Sequence, residues 1–193
     1  MGRSDNERLL EAARAGDPDA WETLYRGVYP RLRSYVASRV GYGEADDLVS
    51  ETMTRAVASI DRLRLADPGF DGWVFGIARR VTADHLRRSS RRRSQPVTSL
   101  DRSSDAPDVH AGLAEEDEYT RLRAALARLS ADDRELLELR ATGRFSIDEI
   151  AHIVGKRPGA VRTASSRAVA RLRCLLETDV VEAESEPRGA TRG

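Results

Sequence analysis

The sequence predicts an all-α protein: two small helical domains joined by a flexible linker. Three observations carry that expectation. Aromatics make up only 5% of the chain and short alternating strand-like runs are scarce. Apolar residues recur at the helical period in most of the chain. Residues 94–114 (SQPVTSLDRSSDAPDVHAGLA) break that period with Ser, Asp and Pro, as a linker does. At 193 residues, 40% hydrophobic and 33% charged, the chain has enough apolar material for two small cores under a highly charged surface.

The elements follow in order. Residues 5–15 form a short helix around Leu9, Leu10, Ala12 and Ala13, stopped by Gly16-Asp17-Pro18. Asp17 caps the next helix and Pro18 takes its first position, where no amide hydrogen is needed. Its stripe is Trp21, Leu24, Val28, Leu32, Tyr35 and Val36, and Pro30 should kink or split it. After Gly41-Tyr-Gly43 comes the cleanest helix, with Ala45, Leu48, Val49, Thr52, Met53, Ala56, Val57, Ile60 and Leu63 on one face and Asp46, Asp47, Ser50, Glu51 and Arg55 opposite. A loop from Arg64 to Gly69 precedes a helix that buries Phe70, Trp73, Val74, Ile77, Val81 and Leu86. Arg80, Arg87 and Arg91 stack on its other face at spacings of seven and four.

Beyond the linker, residues 115–129 are helical, with Leu122, Ala125, Leu126 and Leu129 inward. Ser130 with Asp133 resembles a capping box for a helix burying Leu136, Leu137 and Leu139, which Gly143 ends. Ser146 with Glu149 is a second, better box. It opens a helix-turn-helix: Ile147, Ile150, Ala151 and Val154 inward, a turn at Gly155, then a helix from Pro158 to Glu177 held by Val161, Ala164, Ala168 and Leu172. The tail, 178–193, is polar and expected to be disordered.

Charge is segregated although it sums to zero. Residues 79–93 hold seven arginines against Asp84 alone, whereas residues 101–118 hold seven acids against Arg102. That pattern points to a nucleic-acid face and separate acidic faces, and the zero balance argues against a protein that coats DNA indiscriminately. Lys156 is the only lysine, a bias that fits a GC-rich genome. Cys174 is alone, so no intrachain disulfide is expected and a reducing cytoplasm fits. No apolar run is long enough to span a bilayer, and no apolar signal core opens the chain, so membrane insertion is not expected.

Three surfaces are candidates for function. In a helix-turn-helix the start of the second helix meets base edges in the major groove, which places Arg162, Thr163, Ser166 and Arg167 there, with Arg157 just before it. The alternative, a hairpin packed only for stability, does not account for a capping box, a glycine turn and a polar exposed start together. The arginine helix offers phosphate neutralisation beside an aromatic, the minimum for opened DNA. A merely solvated face competes with that reading, and Trp73 lies on the apolar stripe. Asp46, Asp47 and Glu51 lack the further ligands a metal needs, so a protein-docking face fits better and no metal is expected. Solvated surface is the competing reading there too. His85, His110 and His152 are scattered and no phosphate-binding glycine loop is present, so neither an enzyme nor a cofactor is expected.

Glu44-Ala-Asp-Asp-Leu-Val-Ser-Glu-Thr-Met, then Trp73-Val-Phe-Gly-Ile-Ala-Arg-Arg with Asp84-His-Leu-Arg-Arg, then the Ser146–Arg173 helix-turn-helix, occur in that order. Together they resemble extracytoplasmic-function (ECF, group IV) sigma factors of bacterial RNA polymerase, of the sigma-70 family, over residues 5–177. The resemblance implies a sigma-2-like domain at 1–93 and a sigma-4-like domain at 115–177. It implies that Asp46, Asp47, Leu48 and Glu51 dock on the clamp helices of the beta-prime subunit of core polymerase, and that the sigma-4-like domain meets the beta flap. It further implies that Asp67, Phe70, Trp73, Arg79, Arg80, Arg87 and Arg88 handle the minus-ten element of promoter DNA, the loop before Phe70 capturing a flipped base. Arg157, Arg162, Thr163, Ser166 and Arg167 would read the minus-thirty-five element. An anti-sigma factor is the implied regulator, covering the same faces of a cytoplasmic protein and able to hold it at the membrane. Where many relatives have bulky or basic residues after the matching Val-Arg, this chain has Thr163-Ala-Ser-Ser166. A stand-alone helix-turn-helix regulator that never binds polymerase is the rival reading. It would bind DNA as a symmetric dimer, for which the sequence has no obvious dimerisation helix.

Overall fold

The computed structural model describes residues 3–63, 69–93 and 113–185, and among them every regular element is helical. In order these are α1 (Arg3–Arg14), α2 (Pro18–Val40), α3 (Tyr42–Val57), a single 3-10 turn (Ile60–Arg62), α4 (Gly69–Arg93), α5 (Leu113–Arg128), α6 (Ala131–Ala141), α7 (Ile147–Val154) and α8 (Pro158–Ser185). The linker expected at 94–114 lies almost wholly outside the described residues. Two compact units result. One comprises residues 1–107 with 138–158, and the other residues 108–137 with 159–193.

In the first unit α2, α3 and α4 pack on one another and α1 lies on α2. Asp17 caps α2 as its sequence predicts, accepting the Asp19 amide, with Pro18 just inside. The helix runs unbroken through Pro30. Pro30 is exposed, while Val28, Leu32, Tyr35 and Val36 are fully buried and hold both halves to one core. On α3 the stripe from Ala45 to Ala56 is buried, but Val57 is 52% exposed, because the helix stops there and the chain turns into the 3-10 segment that buries Ile60 and Leu63. Buried Thr52 and Thr82 donate their hydroxyls to the carbonyls of Leu48 and Ala78, so neither leaves a polar atom unsatisfied.

Helix α4 buries Phe70, Val74, Ile77 and Val81 as its periodicity predicts, with Trp73 and Leu86 half-buried. It also buries Phe75 completely, a residue outside the predicted stripe. Phe75 lies between Tyr35 (ring centroids 5.2 Å apart) and Phe145 (4.8 Å, edge-on). The approach to Phe145 needs Gly143. A Cβ there would fall 2.5 Å from the Phe145 ring and 2.6 Å from the Leu139 carbonyl, and Arg144 takes a left-handed φ of 55° to complete the turn. Arg31 donates to the Gly143 carbonyl at 2.9 Å, and nearly buried Arg39 pairs with Glu138 at 3.3 Å.

Helix α7 realises the predicted capping box: Ser146 accepts the Glu149 amide and Glu149 accepts the Ser146 amide. It ends at Gly155, which has the left-handed φ of 69° that a helix stop uses. Ile150, Ala151 and Ile153 are buried, while Val154 is half-buried.

In the second unit Ala125, Leu129, Leu136, Val161 and Ala168 are buried. Leu122, expected inward, is 36% exposed. The Ser130 box is made on one side only, Ser130 accepting the Asp133 amide. The buried Asp133 carboxylate accepts from Arg171 instead, a charge-assisted bond stronger than a neutral cap. Helix α8 continues to Ser185, past the predicted end at Glu177. No glycine or proline interrupts residues 178–185, so nothing in that stretch stops the helix.

Candidate functional site

The acidic face is built by α3, whose buried stripe turns Asp46 and Asp47 outward. Leu48, predicted with them, is only 5% exposed and belongs to the core, so it supports the face from beneath. The two aspartates differ. Asp46 accepts from Arg33 through both oxygens (Nε at 2.7 Å, Nη2 at 3.2 Å) and, weakly, from the Tyr29 hydroxyl at 3.4 Å. The Arg33 hydrogen bond, outweighing slight desolvation and helped by the Arg33 charge and Tyr29, holds the Asp46 carboxyl below the ordinary carboxylate value. Arg33 also lies over the Tyr42 ring at 5.4 Å. Beside it Tyr25 contacts Tyr29 at 5.0 Å. Burial, then the charges of Tyr29 and Asp46, push the Tyr25 phenol up. One helical turn on, Glu51 pairs with Arg55 at 2.5 Å. Asp47 is exposed, and no hydrogen bond or ion pair to it occurs among the described residues. The acidity presented outward therefore centres on Asp47, not evenly on three carboxylates.

Helix α4 carries the arginine face. Arg80, Arg87, Arg88, Arg91 and Arg92 are exposed, and Arg79 is half-buried. Arg80 donates to the Gly76 carbonyl at 3.0 Å, Arg87 pairs with Asp84, and Arg88 donates to the Asp84 carbonyl at 3.3 Å. Near this end His85 Nε2 lies 2.6 Å from Glu44 of α3, tying the two helices. At the opposite end the predicted aromatic pair divides. Phe70 is buried, edge-on to Trp21 at 6.2 Å, whereas half-buried Trp73 packs on Phe70 at 6.2 Å and keeps part of its surface in solvent. Of the two, Trp73 is the aromatic that keeps solvent contact. Asp67 lies outside the described residues.

On α8, Arg162, Thr163, Ser166 and Arg167 are all exposed, as is Arg157 before the helix. Their exposure follows from the burial of Val161, Ser165 and Ala168 on the other side of the helix. The Thr163 hydroxyl donates to the Gly159 carbonyl at 3.0 Å. Among the described residues no group of three or more His, Cys, Asp or Glu side chains is placed to hold a metal ion, and no helix is long and apolar enough to cross a membrane.

Arg33, which pairs with Asp46, Tyr29, which hydrogen-bonds it, and Arg14 and Trp21, which reach the segment around Leu63 and Phe70, escape a reading by motif. Each meets its partner through the packing of separate helices.

Comparison with known proteins decides the family. Residues 24–92 match the model of Sigma-70 region 2, and residues 119–172 that of Sigma-70, region 4. The chain is 35% identical over 182 residues to the ECF RNA polymerase sigma factor BldN of Streptomyces coelicolor, covering 91% of this chain and 69% of that protein. It is 33% identical over 174 residues to the ECF RNA polymerase sigma factor SigD of Mycobacterium tuberculosis, covering 86% and 82%. The chain is an ECF RNA polymerase sigma factor. Its fold agrees with that of the sigma factor RpoE in complex with the anti-sigma factor NepR from Bartonella quintana, with TM-score 0.67 and 28% identity over 82% of this chain and 97% of that one. CnrH, solved with the cytosolic domain of CnrY, shares the fold at TM-score 0.69 and 24% identity, covering 90% and 98%. As an ECF sigma factor the protein is a polymerase-binding, DNA-binding factor of transcription initiation.

Proposed function

We propose that this sigma factor docks on core RNA polymerase through the Asp47 side of α3, recognises a bipartite promoter and helps to open it. Residues 1–93 form the sigma-2 domain, 94–114 the linker, and 115–177 the sigma-4 domain that also meets the beta flap. The observation that carries this reading is the order of three surfaces on one chain: an outward carboxylate on α3, an arginine face with a half-exposed tryptophan on α4, and an exposed polar start on α8. Arg80, Arg87, Arg88 and their neighbours neutralise phosphates of the minus-ten element while Trp73 stacks on an unstacked base. Arg162, Thr163, Ser166 and Arg167 read the minus-thirty-five element in the major groove. Flipping a base costs a few kcal/mol, so a site that holds it contributes to opening and to sequence choice together. The protein acts as a dissociable specificity factor in the cytoplasm, not as an enzyme. An anti-sigma factor, of the kind bound to RpoE of Bartonella quintana, covers these faces until a signal removes it.

The docking claim is tested by pull-down of core polymerase with the wild type and with Asp47→Arg/Glu51→Arg. The double variant is expected to lose binding while its helical circular dichroism is unchanged. Undiminished binding would remove α3 from the interface.

A further inference from the structure

The chain on either side of the segment 64–68 is tied to the N-terminal helices. Before it, the Arg14 guanidinium of α1 donates to the Leu63 carbonyl. After it, the Phe70 ring meets the Trp21 ring in a T-shaped contact at 6.2 Å and passes the contact to Trp73 at 6.2 Å. The two ties share a base: the Trp21 indole N–H donates to the carbonyl of Ala13, the neighbour of Arg14, at 2.9 Å. Leu10 and Ala13 are buried, which seats α1 on α2.

Plain packing does not explain Arg14. Its Nε is buried with no hydrogen-bond partner among the described residues, which makes a half-buried guanidinium a costly way to fill space. What arginine supplies there, and an apolar side chain does not, is a directed N–H on the Leu63 carbonyl. Trp21 likewise offers both an N–H for Ala13 and an aromatic ring for the T-shaped contact with Phe70, where an aliphatic residue offers neither. Buried Phe70 then acts as a relay between Trp21 and the half-exposed Trp73.

We infer that Arg14 and Trp21 are positioning residues for minus-ten recognition: together they set the Leu63 backbone and, through Phe70, the Trp73 ring that meets the opened strand. The inference rests on the proposed promoter-opening function and deepens it. A ring held in place before the base arrives needs no ordering when it binds, and displacement of such a group weakens the step it serves and not the docking of polymerase elsewhere.

The test uses the full chain with core RNA polymerase from the same bacterium, on a promoter recovered by mapping transcription starts from genomic fragments. Wild type, Arg14→Met, Trp21→Leu, Arg14→Lys and Trp21→Phe are compared on the duplex promoter, on the same promoter with a pre-opened minus-ten region, and on duplexes substituted at each minus-ten base. Thermal midpoint and core affinity are measured beside them. Arg14→Met and Trp21→Leu are expected to lower initiation on the duplex by about tenfold, to flatten the preference among minus-ten bases, and to recover on the pre-opened template with core affinity unchanged. Trp21→Phe, which keeps an aromatic ring, and Arg14→Lys, which keeps a charged donor, are expected to retain most of the base preference. If the larger changes fail to fold, these two carry the test: a partial loss on the duplex that the pre-opened template restores is expected, and an equal loss on both templates overturns the inference. Equal losses on both templates with the base preference intact would make these residues merely structural and overturn the inference, as would no loss at all. A wild type that starts transcription on no template would overturn the promoter-opening reading itself, a result distinguishable from either.

Discussion

Helices α4 and α8 both turn arginines to solvent, yet they hold them differently. On α4 the side chains fold back on their own helix: Arg80 to the Gly76 carbonyl, Arg87 to the Asp84 carboxylate, Arg88 to the Asp84 carbonyl. On α8, Arg162 and Arg167 are exposed, and no hydrogen bond or ion pair to either occurs among the described residues. A guanidinium tethered to a backbone carbonyl, as in Arg80 and Arg88, keeps its charge at a fixed, short reach, which suits neutralising phosphates along a backbone, whereas Arg87 shares its charge with Asp84. An untethered one can extend into a groove and grip a guanine with two donors, at the cost of its rotamer freedom. Under the proposed function the same residue type would serve position on one helix and sequence on the other, with the partner at spacing i−3 or i−4 making the difference.

The bluntest way to break the comparison is to remove the support of α4. Phe75→Ala deletes a fully buried ring between Tyr35 and Phe145 and is expected to cost about 3–5 kcal/mol, read as a lower urea midpoint. A loss below about 1 kcal/mol would mean that Phe75 does not anchor this core. On α8, Arg162→Ala should weaken promoter use by about 1–3 kcal/mol on the cognate upstream element and much less on a scrambled one. Equal weakening on both would make Arg162 a phosphate-binding residue, like those of α4. For α4 itself, Arg80→Ala/Arg87→Ala/Arg88→Ala should weaken DNA binding by the holoenzyme alike on all sequences. It should also reduce the slope of log affinity against log salt by about 0.9 for each duplex phosphate left without its arginine. Sequence-dependent weakening would contradict the division of labour.

The smallest expected effect concerns the docking face. Arg33→Gln removes the hydrogen bond that holds the Asp46 carboxyl below its ordinary value of 3.8, so in a carboxyl NMR titration Asp46 should move up toward that value. A depressed folded value means that the pairing favours the fold above the ordinary value and that its contribution fades as pH falls through the depressed one. The pH-dependent part of the difference between wild type and Arg33→Gln should therefore be full above about pH 4, shrink as pH falls below that, and vanish only in acid below the depressed value. An unmoved Asp46 would show that Arg33 does not set its charge.

What the sequence made legible was local. The α3 stripe, the Asp17 cap, the Ser146–Glu149 box and the Gly155 stop depend on residues within a turn or two, and the structure bears them out. Of the kink or split expected at Pro30, the split did not occur: the helix is continuous, and the buried side chains on both sides of Pro30 share one core. Phe75 was missed because its partners Tyr35 and Phe145 lie far away in the chain and off the period that exposed the stripe. In the candidate site, residue types and faces were readable, but their unequal states were not. Arg33 quenches Asp46 from another helix, Phe70 is buried while Trp73 keeps solvent contact, and Asp84 tethers the arginines beside it. Those differences come from the particular side chains that meet in the folded protein, which periodicity does not encode.

The most direct measurement is transcription by core RNA polymerase on a genomic fragment library, with start sites mapped in the presence and absence of this protein. Discrete starts that need it, sharing one upstream and one downstream element, are the predicted result. No dependent starts, together with sequence-specific binding of DNA by the isolated protein, would contradict the account.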